Sequence, residues 1–117
     1  MSTVKVTYFD KEGVRRAVDE HVRALAARHP GLEEAILFGS LVRGTPVPGS
    51  DVDLLLILTD SDRAFLDRIP TFLPGRFPVG VDVFPYTRAE FERMKTEGNR
   101  LVLDAMRDGI TLYRRKA

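Results

Sequence analysis

The sequence predicts an α/β (α+β) fold, a small mixed β-sheet with helices packed mainly on one face. Three aliphatic or β-branched segments have the length and pattern of core strands, and they span Glu34 to Phe38, Val52 to Leu58 and Val79 to Phe84. Helical periodicity and helix-capping residues lie before and after these segments. Because strands and helices of this kind pack in layers, we expect one sheet in which the last two core strands are neighbours.

The chain before the first core strand predicts one amphipathic helix. From Asp10 onward apolar residues recur at helical spacing, and His21 lies on their stripe, where we expect a packing residue. Pro30 and Gly31 end the helix, since proline disfavours helical geometry in the residue before it. Upstream, Thr3 to Phe9 alternates as a short edge strand does, with a frayed arm as the alternative.

Further helices and a last strand are predicted after Leu58. Thr59 to Asp62 offers capping oxygens for a short helix through Ile69, which Pro70 and Pro74 close. Thr87 and Glu90 have the spacing of a capping box that opens the next helix. The remaining predicted features are a helix from Arg100 to Arg107, a left-handed Gly109, a strand from Ile110 to Tyr113 and a core stripe of Phe91, Met94, Leu101 and Met106.

Composition limits the classes of function. A chain of 117 residues suffices for one domain, residues 1–117, and a formal net charge of +1 gives no electrostatic reason to expect DNA binding. There is no cysteine and there are two histidines, which argues against thiolate chemistry and against a histidine-based metal site. We find no apolar stretch of membrane-spanning length and no signal peptide, and therefore expect a cytoplasmic protein.

Two short motifs carry the candidate chemistry. Small residues at Gly39 and Ser40 after a strand let a phosphate approach the backbone, and a helix beginning near Leu41 would direct its free amides at that anion. Asp51 and Asp53 project to the same side if their backbone is extended. Two close carboxylates resist joint ionisation unless a cation lies between them, and their oxygens suit Mg²⁺. Either motif alone is also typical of an ordinary turn.

The order of the motifs is more specific than any one of them. It comprises Gly39-Ser40, a ten-residue spacer containing Arg43-Gly44, Ser50-Asp51-Val52-Asp53, an aliphatic strand, and Asp82 on a later strand. In this order the sequence resembles the minimal nucleotidyltransferases of the polymerase-beta-like superfamily, and the resemblance implies their fold. It extends from about Leu32 to Tyr113 and includes the closing 108–113, DGITLY. One mild departure is Val42, where the family often has alanine.

The resemblance implies a role for each residue of the motif. Gly39 and Ser40 would contact the triphosphate of the nucleotide. Asp51 and Asp53 would bind two Mg²⁺ ions, which lie roughly 3.5–4 Å apart in such sites. Asp82 would complete the site of the ion that activates the attacking hydroxyl, and whether it also accepts the proton stays open.

Two further residues are candidate nucleotide ligands. Arg43 could reach a phosphate or could equally be a solvated ion-pair partner. Ser50, which precedes the acidic pair, is placed with the nucleotide-binding residues because it belongs to the same motif.

The resemblance also implies a reaction and a partner. The reaction is the transfer of AMP from ATP to a hydroxyl, and the implied acceptor is a tyrosine of a HEPN-type toxin, which makes this chain an antitoxin. The alternative is a binding module that neutralises its partner by contact, with the acidic residues vestigial or structural. Modification of a small molecule ranks lower, because nothing in the sequence resembles an added substrate domain.

Overall fold

The computed structural model of the protein describes residues 10–39, 42 and 52–116. The segment 3–9, expected to be an edge strand or an arm, lies outside these ranges. The described helices and strands are α1 (Lys11–Arg28), β1 (Leu32–Phe38), β2 (Val52–Leu58), α2 (Phe65–Phe72), β3 (Val81–Thr87), α3 (Arg88–Thr96), α4 (Arg100–Asp108) and β4 (Ile110–Arg114). Among the described helices, none combines the length and apolar character needed to cross a membrane.

The four described strands form one mixed sheet in the order β3-β2-β1-β4. β1 pairs antiparallel with β2 and with β4, whereas β2 and β3 are parallel neighbours. The predicted fold class and the adjacency of the last two core strands are therefore confirmed. β3 begins two residues later than predicted and continues through Pro85 to Thr87. Proline is compatible with this position because β3 is an edge strand of the described sheet, and one side of an edge strand pairs with no other strand.

Apolar side chains cover both faces of the sheet, which explains the unbroken aliphatic run of β2. Val52, Leu54 and Leu56 belong to one buried cluster, while Leu55 and Ile57, which point the opposite way, belong to the other. The expectation that helices pack mainly on one face is wrong. α1 packs against the first cluster, and α3 and α4 pack against the second.

The first face is covered by the predicted amphipathic helix. α1 begins after Asp10, whose carboxylate accepts a hydrogen bond from the Gly13 amide at 2.9 Å. Its buried positions are Val14, Val18, Val22 and Leu25. His21 Nε2 lies 2.7 Å from the backbone oxygen of Phe72 in α2, so the histidine is a packing residue that joins two helices.

The second face is covered by α3 and α4. The predicted capping box at Thr87 and Glu90 is present, with both of its hydrogen bonds. The prediction that Met106 belongs to the core is wrong. Its side chain is 48% exposed, because the buried positions of α4 are Val102 and Ala105. Gly109 was expected in the left-handed conformation, but its φ is −74°.

Close packing rather than backbone conformation explains the glycine at 109. A Cβ added there would lie 2.6 Å from Cγ2 of Ile36 and would also collide with the backbone oxygen of Ala105. The end of α4 therefore lies directly against β1.

A buried arginine ties α2 to β3 and α3. Arg68 is 5% exposed, and its guanidinium donates to both carboxylate oxygens of Glu90 at 2.7 and 3.1 Å and to the Pro85 oxygen at 3.0 Å. Its Nε donates to the Arg63 oxygen at 2.9 Å. α2 was expected to close at Pro70 but extends to Phe72 with that proline inside it. This network fixes the strand that carries Asp82.

Candidate active site

Two acidic side chains meet at one end of the parallel strand pair. Asp53 is the second residue of β2, Asp82 is the second residue of β3, and the two are register partners. Directly paired residues of neighbouring strands point to the same face, and the strands lie about 4.8 Å apart. Asp53 is half-buried and Asp82 is exposed, so the pair lies at the surface with one carboxylate set into the sheet.

Gly39 lies against the first of these carboxylates. It follows Phe38, which pairs with Asp53 across β1 and β2, and it has a φ of +97°. A Cβ added at Gly39 would collide with a carboxylate oxygen of Asp53 and lie 3.2 Å from its Cγ. Glycine is therefore required here for two reasons. The backbone is left-handed, and the carboxylate lies too close to admit a Cβ.

Val42 lies beside the end of β1. Its amide donates a hydrogen bond of 3.2 Å to the Gly39 oxygen. This bond holds Val42 at the end of the sheet that carries the acidic pair.

Two aromatic residues lie next to the acidic pair on the same face of the sheet. Phe84 is two residues beyond Asp82 and therefore points to the same face, and its ring centroid lies 5.8 Å from that of Phe38. Both rings belong to the buried apolar cluster under α3 and α4, Phe38 as a member and Phe84 packed against it. Because this packing leaves the strand ends few alternative positions, the two carboxylates are held by a rigid support.

The structure brings together three of the predicted site residues, Gly39, Asp53 and Asp82. Ser40, Arg43, Ser50 and Asp51 lie outside the described residues, and their roles stay predictions. Within residues 10–39, 42 and 52–116, no group of three or more histidine, aspartate or glutamate side chains is placed to hold a metal ion. The donor set nevertheless suits Mg²⁺, since carboxylate oxygens on neighbouring strands are the hard ligands it prefers.

Some contributors to this region were not found from the sequence. Phe84 carries a usable signal, because its spacing of two from Asp82 places both on one face of a strand. Lys11 and Arg15 line a groove with Val42, whose amide donates to the Gly39 oxygen. They gave no sequence signal, since they read as the ordinary polar face of an amphipathic helix about thirty residues earlier.

Comparison with known proteins identifies the family of this arrangement. The family model described as a nucleotidyltransferase domain matches residues 18–110. None of the curated proteins compared with the chain matches it in sequence.

Solved structures share the fold. One comes from Sulfolobus solfataricus and carries the provisional description of a nucleotidyltransferase; it is 25% identical, with a TM-score of 0.64, and the match covers 90% of this chain and 84% of that one. A toxin-antitoxin structure with AMP-PNP is 20% identical, with a TM-score of 0.56 and coverage of 84% and 74%. A mutant of the toxin-antitoxin MntA-HpeT is 17% identical, with a TM-score of 0.55 and coverage of 92% and 76%.

Proposed function

This chain belongs to the nucleotidyltransferase domain family, and on that premise we propose that it transfers AMP from ATP to a hydroxyl group in a Mg²⁺-dependent reaction. The proposed acceptor is a tyrosine of a HEPN-type toxin, which the transfer inactivates, so that the chain acts as its antitoxin. The observation that carries the proposal is the register pairing of Asp53 with Asp82 beside Gly39.

The proposed chemistry needs the acidic residues as ligands. Asp51, Asp53 and Asp82 would hold two Mg²⁺ ions, which when bound lower the pKa of the attacking hydroxyl and neutralise the leaving pyrophosphate. The acceptor hydroxyl loses its proton to solvent, its oxygen forms a bond to the α-phosphorus while the bond from that phosphorus to the bridging oxygen breaks, and pyrophosphate departs with the bonding electron pair. Transfers of this kind depend mainly on positioning and charge neutralisation, so a site without a histidine base is sufficient.

The remaining residues position the nucleotide and the acceptor. Gly39 leaves room for the Asp53 carboxylate at the end of β1, and the hydroxyl of Ser40 would donate to a phosphate oxygen. Arg43 and Ser50 are proposed to contribute further phosphate contacts. Asp82 is exposed on the edge strand β3, so an acceptor hydroxyl supplied by another protein can reach it from solvent.

The identity of the structural neighbours supports the proposed partner. Two of them are toxin-antitoxin structures, and one of these contains the ATP analogue AMP-PNP. A protein acceptor also agrees with the open position of the acidic pair at the rim of the sheet. We therefore propose a toxin protein, rather than a small molecule, as the acceptor.

A second function, neutralisation by contact without catalysis, is favoured by one observation. Leu103 and Met106, which are 41% and 48% exposed, lie three residues apart on α4 and are therefore neighbours on the surface of that helix. Neighbouring exposed apolar side chains are typical of surfaces that another protein covers. Such a surface would serve a catalytic antitoxin as well as a purely binding one.

One experiment separates the two functions. The chain is incubated with labelled ATP, Mg²⁺ and the protein encoded beside it, and the mass of that protein is measured with wild type, with Asp53→Asn and with Asp62→Asn as a control. Asp62 is an exposed acid in the loop after β2, at the opposite end of the sheet. The proposed function predicts addition of one or more AMP groups by wild type and by Asp62→Asn, and loss of both modification and neutralisation with Asp53→Asn. Neutralisation by all three proteins without a mass change would support contact alone.

A further inference from the structure

Apolar side chains lie along the outer side of α2. Leu66 is 73% exposed, more than any other large apolar residue that the structure describes, and Leu73, directly after the helix, is 40% exposed. Pro70 is exposed between them, four residues after Leu66 and therefore its neighbour on the helix surface. We call Leu66, Pro70 and Leu73 the α2 stripe. Contiguous exposed apolar residues of this kind are typical of surfaces that another protein covers.

The α2 stripe runs beside the strand that carries the exposed catalytic acid. At the start of α2, the ring of Phe65 stacks on that of Tyr86, near the end of β3, with centroids 4.7 Å apart. After the end of α2, Leu73 lines a groove of about 220 Å³ together with Val81, the first residue of β3. Asp82 is the next residue along the strand. The stripe therefore follows β3 back to its acidic end.

We propose that the acceptor protein docks on the α2 stripe with an apolar ridge that is flanked by a basic side chain. The inference rests on the proposed function and adds to it the surface that brings the acceptor hydroxyl to Asp82. The basic flank follows from Asp67, which is exposed next to Leu66 and whose side chain takes part in no ion pair among the described residues. A positive charge on the partner can pair with it at the rim of the interface.

The size of an ordinary interface joins the stripe to the acid. Stable protein–protein interfaces bury about 800 Å² on each partner, which corresponds to a round patch roughly 30 Å across. α2 has eight residues and is therefore about 12 Å long. A protein that places a hydroxyl at Asp82 thus extends far enough to cover the stripe in the same interface.

The exposed apolar pair on α4 is less favourably placed for this role. The end of α4 lies against Ile36 of β1, and β2 separates β1 from the strand that carries Asp82. By contrast, α2 is in direct contact with β3 through Phe65 and Tyr86. The position of the acid therefore favours α2 as the docking helix.

A docking surface predicts a particular kinetic signature. A contact remote from the reacting atoms binds the acceptor equally well before and in the transition state, so its loss raises KM for the acceptor and leaves kcat unchanged. Loss of a group that acts only in the transition state lowers kcat instead. One assay therefore distinguishes the stripe from the acidic pair.

The test measures kcat and KM for AMP transfer as the concentration of the protein encoded beside this chain is varied at fixed ATP and Mg²⁺. The docking variants are Leu66→Ser and Asp67→Lys. Their matched controls are Leu66→Met, which keeps an apolar side chain of similar size, and Glu97→Lys, which reverses an exposed acid at the end of α3. Urea unfolding and calorimetric binding of AMP-PNP report on the fold and on the nucleotide site of each variant.

We expect Leu66→Ser to raise KM for the acceptor about tenfold, because serine loses most of the apolar contact that leucine makes when it is buried at an interface. We expect Asp67→Lys to raise KM about threefold, by an amount that shrinks as salt is added, because salt screens charges at a rim. The kcat and the affinity for AMP-PNP should stay at wild-type values, and Leu66→Met and Glu97→Lys should match wild type throughout.

Four results would overturn the inference. An unchanged KM for both docking variants would remove the stripe from the interface while leaving the proposed function intact. An increase in KM with Leu103→Ser but not with Leu66→Ser would place the acceptor on α4. A chain that is dimeric by light scattering and becomes monomeric with Leu66→Ser, at an unchanged KM, would show that a second copy covers the stripe. A wild-type chain that transfers no AMP would overturn the proposed function together with this inference.

Discussion

Replacing Gly39 by alanine tests the geometry of the acidic pair most sharply. The backbone there has a φ of +97°, and forcing a residue with a Cβ into that region costs about 1–2 kcal/mol. The added methyl group would in addition occupy the space of the Asp53 carboxylate, which must then move. A displacement of about 1 Å in a catalytic group can reduce the rate about a hundredfold.

Gly98→Ala is the matched control for this substitution. Gly98 also has a left-handed backbone, with a φ of +76°, but a Cβ added there meets nothing within 4 Å. It therefore carries the conformational strain without the collision. We expect urea unfolding to show a loss of about 1–2 kcal/mol for Gly98→Ala and about 2–3 kcal/mol for Gly39→Ala.

The transfer assay then isolates the effect on the site. With both variants folded, AMP transfer by Gly39→Ala should fall at least about a hundredfold, whereas Gly98→Ala should transfer AMP at the wild-type rate. Equal transfer rates for the two variants would refute the argument that Gly39 is glycine in order to admit the Asp53 carboxylate.

Two predictions concern the network that holds β3. Arg68→Ala should lower the free energy of unfolding in urea by about 3–5 kcal/mol, because it leaves Glu90 without its buried partner, whereas Arg107→Ala, at a side chain 68% exposed, should change it by less than about 0.5 kcal/mol. Similar losses for both would contradict the buried network. The hydrogen bond from Arg68 lowers the pKa of Glu90 from 4.5 to about 2. The stabilisation from ionised Glu90 is therefore complete above pH 4.5 and is lost as the pH falls toward about 2. Wild type should lose about 1–3 kcal/mol more than Glu90→Gln over that interval, and parallel pH profiles would refute this assignment.

Local patterns predicted the elements that depend on local physics. The aliphatic run of β2 is buried on both sides, so its composition alone marks it as an inner strand. The capping box at Thr87 and Glu90 satisfies amides within one turn and needs no tertiary contact to be recognised. The alternation of Asp82 with Val81 and Val83 is likewise a local pattern, and the valines face one buried cluster while the Asp82 side chain lies on the other face of the sheet.

Features set by tertiary contacts were missed. The predicted strand stopped at Phe84, whereas β3 continues through Pro85, which is tolerated there because β3 is at an edge of the described sheet. Gly109 is explained by the close approach of α4 to β1, which no local spacing reveals. Met106 was assigned to the core, although the buried face of α4 carries Val102, one turn before it, and Ala105, the residue directly before it.

The candidate site shows the same division. The pairing of Asp53 with Asp82 follows from two adjacent parallel strands, each with its acid at the second position. The contact between Gly39 and the Asp53 carboxylate depends on the register in which β1 pairs with β2, and sequence spacing gave the glycine only a phosphate-binding role. The groove lined by Lys11 could not be predicted from the sequence, because it forms only where the start of α1 lies beside Val42.

The rate of AMP transfer by Asp82→Asn tests the central claim most directly. Asp82 is exposed, so the substitution preserves the fold, and the amide keeps the size of the side chain while removing its charge. The account predicts a fall of at least about a hundredfold in the Mg²⁺-dependent transfer of AMP to the partner protein, equivalent to about 2.7 kcal/mol of transition-state stabilisation. Transfer by Asp82→Asn at the wild-type rate would contradict it.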